Sequence, residues 1–135
     1  VLANDPDADR LAIAEQQPDG SWKVYNGNEI GISLASWAWK YIQNAHPESE
    51  PSSCAVVSTA VSSKMLIFIG KAEGFQFHEC LTGFKWIGNK ASELVNAGLH
   101  FLFGYEEAIG FMVGMTCLDK DGVRAAVVAL ITLIT

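Results

Sequence analysis

Charge is sparse in this 135-residue chain, at 18% of positions, and positive charge is sparser still: nine Lys and Arg stand against fifteen Asp and Glu, a formal net charge of −6. That is the wrong field for gripping a phosphate backbone, so nucleic acid is excluded as a partner class. Cysteine is scarce as well. Cys54, Cys80 and Cys117 are odd in number and far apart, with no CxxC pair and no histidine at ligand spacing, so a disulfide framework and a zinc site are both excluded. Buried thiols in a reducing cytosol are the expectation. No apolar run reaches the ~20 residues of a membrane span, and no basic, apolar, small-residue signal opens the chain, so no membrane partner is expected. Internal repeats and low-complexity tracts are lacking too. What is present is a 50% hydrophobic content, which suits a packed domain with one modest core and argues against disorder.

Both ends read as interrupted elements. Val1 to Ala3 looks like a strand already under way, and Val123 to Thr135 like a helix with no Gly or Pro to stop it, which predicts a fragment or shortened isoform. Leu11 to Glu15 and Trp22 to Tyr25 flank the turn residues Gln17-Pro18-Asp19-Gly20, a hairpin. Asn26 with Glu29 forms a capping-box start for a helix placing Ile30, Leu34, Trp37 and Tyr41 on one face and ending before His46-Pro47. The polar, proline-interrupted stretch from Ala45 to Ser53 is a loop. Cys54 to Ser58 then predicts a buried strand, and Ser62 or Ser63 caps a helix carrying Met65, Leu66, Phe68, Ile69 and Ala72 up to Gly74. Phe75 to Leu81 is a second strand, Ile87, Ala91, Leu94 and Val95 mark a third helix ending at Gly98, and His100 to Phe103 is a third strand. Strands alternating with helices imply an α/β chain, a three-layer α/β/α domain with a mixed sheet, preceded by the hairpin segment.

The densest chemical signal is Asn4-Asp5-Pro6-Asp7-Ala8-Asp9-Arg10, directly after a strand. In an extended or gently curved loop, carboxylates at every second position point the same way. Their repulsion is relieved by a hard divalent cation, and so few protein oxygens leave coordination positions for a substrate phosphate, as Mg²⁺ prefers. Arg10 would be a phosphate or carboxylate partner. A solvated acidic turn is the plainer alternative. A calcium EF-hand is excluded, because its loop needs Gly at the sixth position and Glu at the twelfth, where counting from Asp5 gives Arg10 and Gln16. A haloacid-dehalogenase-like phosphatase stays open, with Asp5 as nucleophile and Asp7 as acid/base. Asp9 stands where that family has Thr or Val, and no Gly-Asp pair follows.

The second signal is Gly104-Tyr105-Glu106-Glu107-Ala108-Ile109-Gly110. A carboxylate at a strand end between glycines can accept hydrogen bonds from neighbouring sugar hydroxyls. The plainer alternative puts Glu106 and Glu107 in the first turn of a helix, where acids suit the macrodipole. Thr82-Gly83-Phe84-Lys85 and Asp119-Lys120-Asp121-Gly122 each offer a lysine able to meet a phosphate or move a proton, or merely to sit in solvent. Trp37, Trp39 and Trp86 read as core or domain-contact aromatics. His46, His78 and His100 read as structural, none being beside a candidate nucleophile.

Together the strings ANDPDADRLAIAE, TAVSSKML, LTGFKWIGNKA, YEEAIGF and LDKDGV resemble the α-D-phosphohexomutase superfamily over essentially the whole chain, closest to its eukaryotic phosphoglucomutase and phosphopentomutase branch, with glucose-1,6-bisphosphate synthases as a sister branch. The resemblance implies a cytosolic four-domain isomerase, with residues 1–25 the end of the second domain and 26–135 the third, sugar-binding domain, cut short at its C-terminus. It implies Mg²⁺ on Asp5, Asp7 and Asp9, Arg10 supporting the phosphoryl site, and Lys120 as candidate acid/base. Substrate-facing positions would be Glu106, Ala108, Thr82, Gly83 and Lys85. The implied substrate is a sugar phosphate and the implied activator a sugar bisphosphate such as glucose 1,6-bisphosphate. Many relatives have Ser where this chain has Ala108, a lost hydroxyl contact that opens the way to a pentose phosphate. The family's phosphorylated serine and phosphate-gripping loop belong to its first and fourth domains and have no counterpart here, so the chain alone is expected to lack mutase activity. A catalytically silent sugar- or metal-binding module is the further alternative, and oligomeric state is not legible.

Overall fold

The computed structural model describes residues 1–134, with side chains through Thr132. Two sheets organise it. The first is an antiparallel meander of β1 (Leu2–Asn4), β2 (Leu11–Gln16) and β3 (Trp22–Tyr25). The second has four strands, β4 (Cys54–Thr59), β5 (Gln76–Cys80), β6 (His100–Glu106) and β7 (Gly110–Val113), in the order β5-β4-β6-β7. β4 runs parallel to β5 and β6, while β7 returns antiparallel to β6. The four helices are α1 (Gly27–Ala45), α2 (Met65–Glu73), α3 (Phe84–Asn96) and α4 (Gly122–Ile134).

β4 is buried along its whole length, as a central parallel strand must be, and its alternating side chains feed two cores. Cys54 and Val56 join Ile30, Leu34 and Trp39 of α1, Leu66 of α2, Phe103, Tyr105 and Phe111 of the sheet, and Ala125 and Val128 of α4. Ala55 and Val57 join Phe84, Ile87, Ala91 and Leu94 of α3 on the opposite face. This is the expected three-layer arrangement. Leu11 is fully buried in the first core and locks the meander onto the larger unit.

Five expectations need correction. The thiols are not all buried: Cys54 is, Cys80 is half-buried and Cys117 is exposed. The buried face of α1 runs through Gly27, Ile30, Gly31, Leu34, Ala35, Ala38 and Trp39, leaving Trp37 and Tyr41 stacked on each other at its flank, with Tyr41 exposed. Small residues win the core side because Gly31 lies against the Tyr105 ring, where even a Cβ would come within 2.5 Å. Of the two serines expected to cap α2, only Ser63 does, its Oγ accepting from the Met65 amide at 3.2 Å; Ser62 is buried elsewhere, and Met65 and Phe68 face outward. Val95 of α3 is more than one-third exposed and so is not a core residue, while the like exposure of Trp86 removes the core half of its reading and leaves the domain-contact half. Finally, β6 runs on through Glu106 and β7 follows at once, so the segment 104–110 is a hairpin and not a helix start. The expected helical end at Thr135 lies outside the described residues.

Candidate active site

In parallel α/β sheets, ligands gather beyond the carboxyl ends of the strands. Here that edge collects the loop after β4, the Thr82–Gly83 loop after β5, and the turn after β6. The meander brings the acidic loop to the same place through main-chain hydrogen bonds: the Leu11 amide donates to the Ile109 carbonyl at 3.1 Å, and Gly122 donates to Ala8 at 3.1 Å.

The acidic loop is a tight turn, not the extended run its spacing predicts. The Ala8 amide donates to the Asp5 carbonyl at 2.9 Å, and Ala8 has a left-handed φ of 58°. The turn still gathers the acids, one carboxylate oxygen from each of Asp5, Asp7 and Asp9 lying within 4.8 Å of the others. Arg10 folds back, its backbone amide and Nε donating to the two oxygens of Asp5 at 3.1 and 2.8 Å. Desolvation alone would raise the Asp5 carboxyl; the Arg10 hydrogen bonds outweigh it and hold Asp5 well below the usual carboxylate range. Asp7 is raised instead, first by sharing a hydrogen bond with Asp5 and then by the charges of Asp5 and Asp9. Asp9 Oδ1 is buried with no hydrogen-bond partner among the described residues, the Arg10 Nε standing 3.8 Å away. A buried carboxylate oxygen left unpaired among other carboxylates fits a hard cation bound by oxygens.

Lys120 joins this loop to the β6 end. Its Nζ lies 3.4 Å from Asp9 Oδ2 and 3.7 Å from Glu106 Oε1. Asp121 presents the lysine: its side chain accepts from the Arg124 amide at 2.9 Å, capping α4, while its own amide donates to the Phe111 carbonyl. Glu106, the last residue of β6, has a side chain only 13% exposed and stands opposite Gly110. A Cβ at Gly110 would sit 2.9 Å from Glu106 Oε1 and 3.1 Å from Lys120 Cδ, so glycine keeps this space open.

The structure thus brings together Asp5, Asp7, Asp9, Arg10, Lys120 and Glu106. Ala108 is the exposed residue of the turn. Thr82, Gly83 and Lys85 are exposed on the neighbouring loop, Gly83 with a φ of 101° and Lys85 with its Nζ over the Trp86 ring. That loop meets the cluster through Phe84, whose ring centroid is 5.9 Å from Lys120 Nζ.

Sequence reasoning missed what lies behind the cluster. Glu107 Oε2 accepts from Thr59 Oγ1 at 3.0 Å and Ser62 Oγ at 3.3 Å. Tyr105 Oη donates to Asn28 Oδ1 at 3.1 Å, which also accepts from the Ser63 amide at 2.7 Å. Burial pushes the Tyr105 phenol up to about 12, so it stays a donor. The available signal was polar: Ser58 and Thr59 end a buried apolar strand, where hydroxyls need partners.

The family described as phosphoglucomutase/phosphomannomutase, alpha/beta/alpha domain III, matches residues 26–134. Human phosphopentomutase is 51% identical over 132 residues, 96% of this chain and 21% of that protein. Mouse glucose 1,6-bisphosphate synthase is 48% identical over 128 residues, 95% of this chain and again 21% of the relative. The chain therefore spans about a fifth of the length of these curated relatives. An Aspergillus fumigatus N-acetylphosphoglucosamine mutase, solved in complex with GlcNAc-6P and magnesium, superposes with a TM-score of 0.61 at 16% identity over 98% of this chain and 28% of its own. An apo N-acetylglucosamine-phosphate mutase of the α-D-phosphohexomutase superfamily superposes with a TM-score of 0.67 at 14% identity, over 98% and 35% of the two chains.

Proposed function

The chain belongs to the phosphoglucomutase/phosphomannomutase family, and on that footing we propose that it carries the metal loop and the sugar-reading turn of a phosphosugar mutase. The activity of the parent enzyme is the transfer of a phosphoryl group between C1 and C6 of a hexose, or C1 and C5 of a pentose, through a phosphoserine and a sugar bisphosphate, both contributed from outside these residues. Residues 1–25 are read as the end of the second domain, and domains one and four as the missing partners. The working compartment is read as the cytosol; no helix among the described residues is long and apolar enough to cross a membrane.

One observation carries this reading: Lys120 bridges Asp9 of the acidic loop and Glu106 of the β6 end, which makes them one site. Asp5, Asp7 and Asp9 would hold Mg²⁺, which when bound supplies charge neutralisation for the transferring phosphoryl group. Glu106 accepts hydrogen bonds from neighbouring ring hydroxyls, and being at a rigid strand end it orients them. Lys120, beside both, is placed to meet a phosphate oxygen or to move a proton at the reacting hydroxyl. Arg10 holds Asp5 in place and keeps the remainder of its guanidinium for phosphate. The dehalogenase-like alternative is disfavoured, since Arg10 takes both oxygens of the Asp5 that would act as nucleophile. Ala108, lacking a hydroxyl, favours a pentose over a hexose phosphate.

Amide NMR of the labelled chain tests the reading, with Mg²⁺ titrated first and then glucose 1-phosphate or ribose 1-phosphate. Saturable shifts at residues 5–10 with metal and at 104–110 with sugar phosphate are expected, with ribose 1-phosphate the tighter ligand. The absence of saturable shifts at both segments in a folded chain would overturn it.

A further inference from the structure

We propose that Glu107 is a positioning residue: its half-buried carboxylate clamps the β6–β7 turn onto the loop after β4 and thereby fixes the aim of Glu106. The inference rests on the reading of Glu106 as the sugar carboxylate.

Side chains of consecutive residues at a strand end point to opposite sides. Glu106 turns toward Lys120, and Glu107 turns the other way, into Thr59 and Ser62. Those hydroxyls are 0% and 4% exposed and lie 2.7 Å from each other, so the Glu107 carboxylate is the charged acceptor that completes a buried polar group. Hydrogen bonds from hydroxyls to a part-buried carboxylate are among the stronger contacts a fold can make. The main chain of the turn is confined as well. A Cβ at Gly27 would lie 2.0 Å from the Glu107 carbonyl oxygen and 3.0 Å from the Ile109 nitrogen, so α1 presses its first residue directly against the turn.

The confinement holds a conformation the turn would not choose. Ile109 has a φ of 56°, in the left-handed region that a β-branched side chain avoids, and its carbonyl accepts from the Leu11 amide. Backbone strain of this kind persists only where surrounding contacts over-determine it, and it gathers at ligand-holding segments. The Glu107 clamp is that over-determination on one side, Gly27 and Leu11 on the others. What the strain secures is next door, the Glu106 carboxylate held 3.7 Å from Lys120 before any sugar arrives. Such pre-organisation is worth most when supporting groups lock the contacting residue.

The test compares the wild-type chain with Glu107→Ala, Glu107→Gln and the Thr59→Val/Ser62→Ala pair, measuring ribose 1-phosphate affinity, Mg²⁺ affinity and the nuclear Overhauser contacts between Glu106 and Lys120. Glu107→Ala and the hydroxyl pair are expected to weaken sugar-phosphate binding by about tenfold, as loss of an orienting partner does, with Mg²⁺ affinity unchanged. Glu107→Gln keeps an amide oxygen for the same donors and is expected to restore most of the affinity, a rescue that a loss of general stability would not predict. Should Glu107→Ala not fold, the hydroxyl pair makes the same measurement. Wild-type affinity in the truncated variants overturns the clamp. A wild-type chain that binds no sugar phosphate removes the role of Glu106 instead, and the Glu106–Lys120 contacts still decide the clamp, since their survival in Glu107→Ala would refute it.

Discussion

The acidic loop after β1 and the turn after β6 face each other across Lys120, yet they are held by opposite means. The loop is electrostatic: its acids crowd together, the hydrogen bonds of Arg10 go to Asp5, and a buried oxygen of Asp9 has no hydrogen-bond partner among the described residues. The turn is mechanical: its carbonyl sits against Gly27, its Glu107 is anchored on buried hydroxyls, and Ile109 is forced left-handed. A half left unsaturated has room for a further partner, whereas a half confined by several contacts holds its shape before any ligand comes.

Substitution of Gly27 by Ala strikes the mechanical half hardest. The added methyl meets backbone, which cannot rotate away, so a loss of about 3 kcal/mol, or roughly 10 °C in Tm, is expected. A thermal melt followed by circular dichroism reads it, and an unchanged Tm would show that the turn yields. Asp7→Ala addresses the electrostatic half. Mg²⁺ affinity by calorimetry should fall by about tenfold while the metal-free Tm holds or rises slightly, because one member of a repelling cluster has gone. Lower metal-free stability would mean the loop is built on those acids after all.

The smallest effect probes a charge at the start of α1, the helix pressed against the mechanical half. Glu29 accepts from the Asn26 amide in the capping box at the start of α1 and pairs with Lys23 at 3.1 Å. The Asn26 hydrogen bond first, then Lys23, holds its carboxyl below the ordinary 4.5. A depressed folded-state value means that the stabilisation is fully present above 4.5 and is lost as pH falls through the lower folded value. Glu29→Gln should therefore flatten the acid side of a Tm-against-pH curve and leave neutral behaviour nearly unchanged. Parallel curves for the two chains would assign the acid sensitivity elsewhere.

The difference between the halves also explains what could be read from sequence. The acids of the loop are neighbours along the chain, so their convergence was legible even though the turn that achieves it was misjudged as extended. The α/β layers followed from periodicity, since β4 and α3 each carry an unbroken local pattern. The short β7 was hidden, because four residues after a double glutamate offer no period of their own. Glu107 was invisible for a different reason. Its partners lie 48 and 45 residues away, and no local pattern announces a hydrogen bond that only the folded sheet brings about. Of the two serines expected to cap α2, Ser62 is one of those partners, while Ser63 stays at the helix end.

The acidic loop and the sugar-side turn are tied to one frame by amides and carbonyls, Leu11 to Ile109 and Gly122 to Ala8. Every residue but proline owns such groups, so the exposed side chain at position 108 takes no part in the tie. Substitution at 108 can therefore change what the turn presents to solvent while the spacing between the turn and the acidic loop stays inherited.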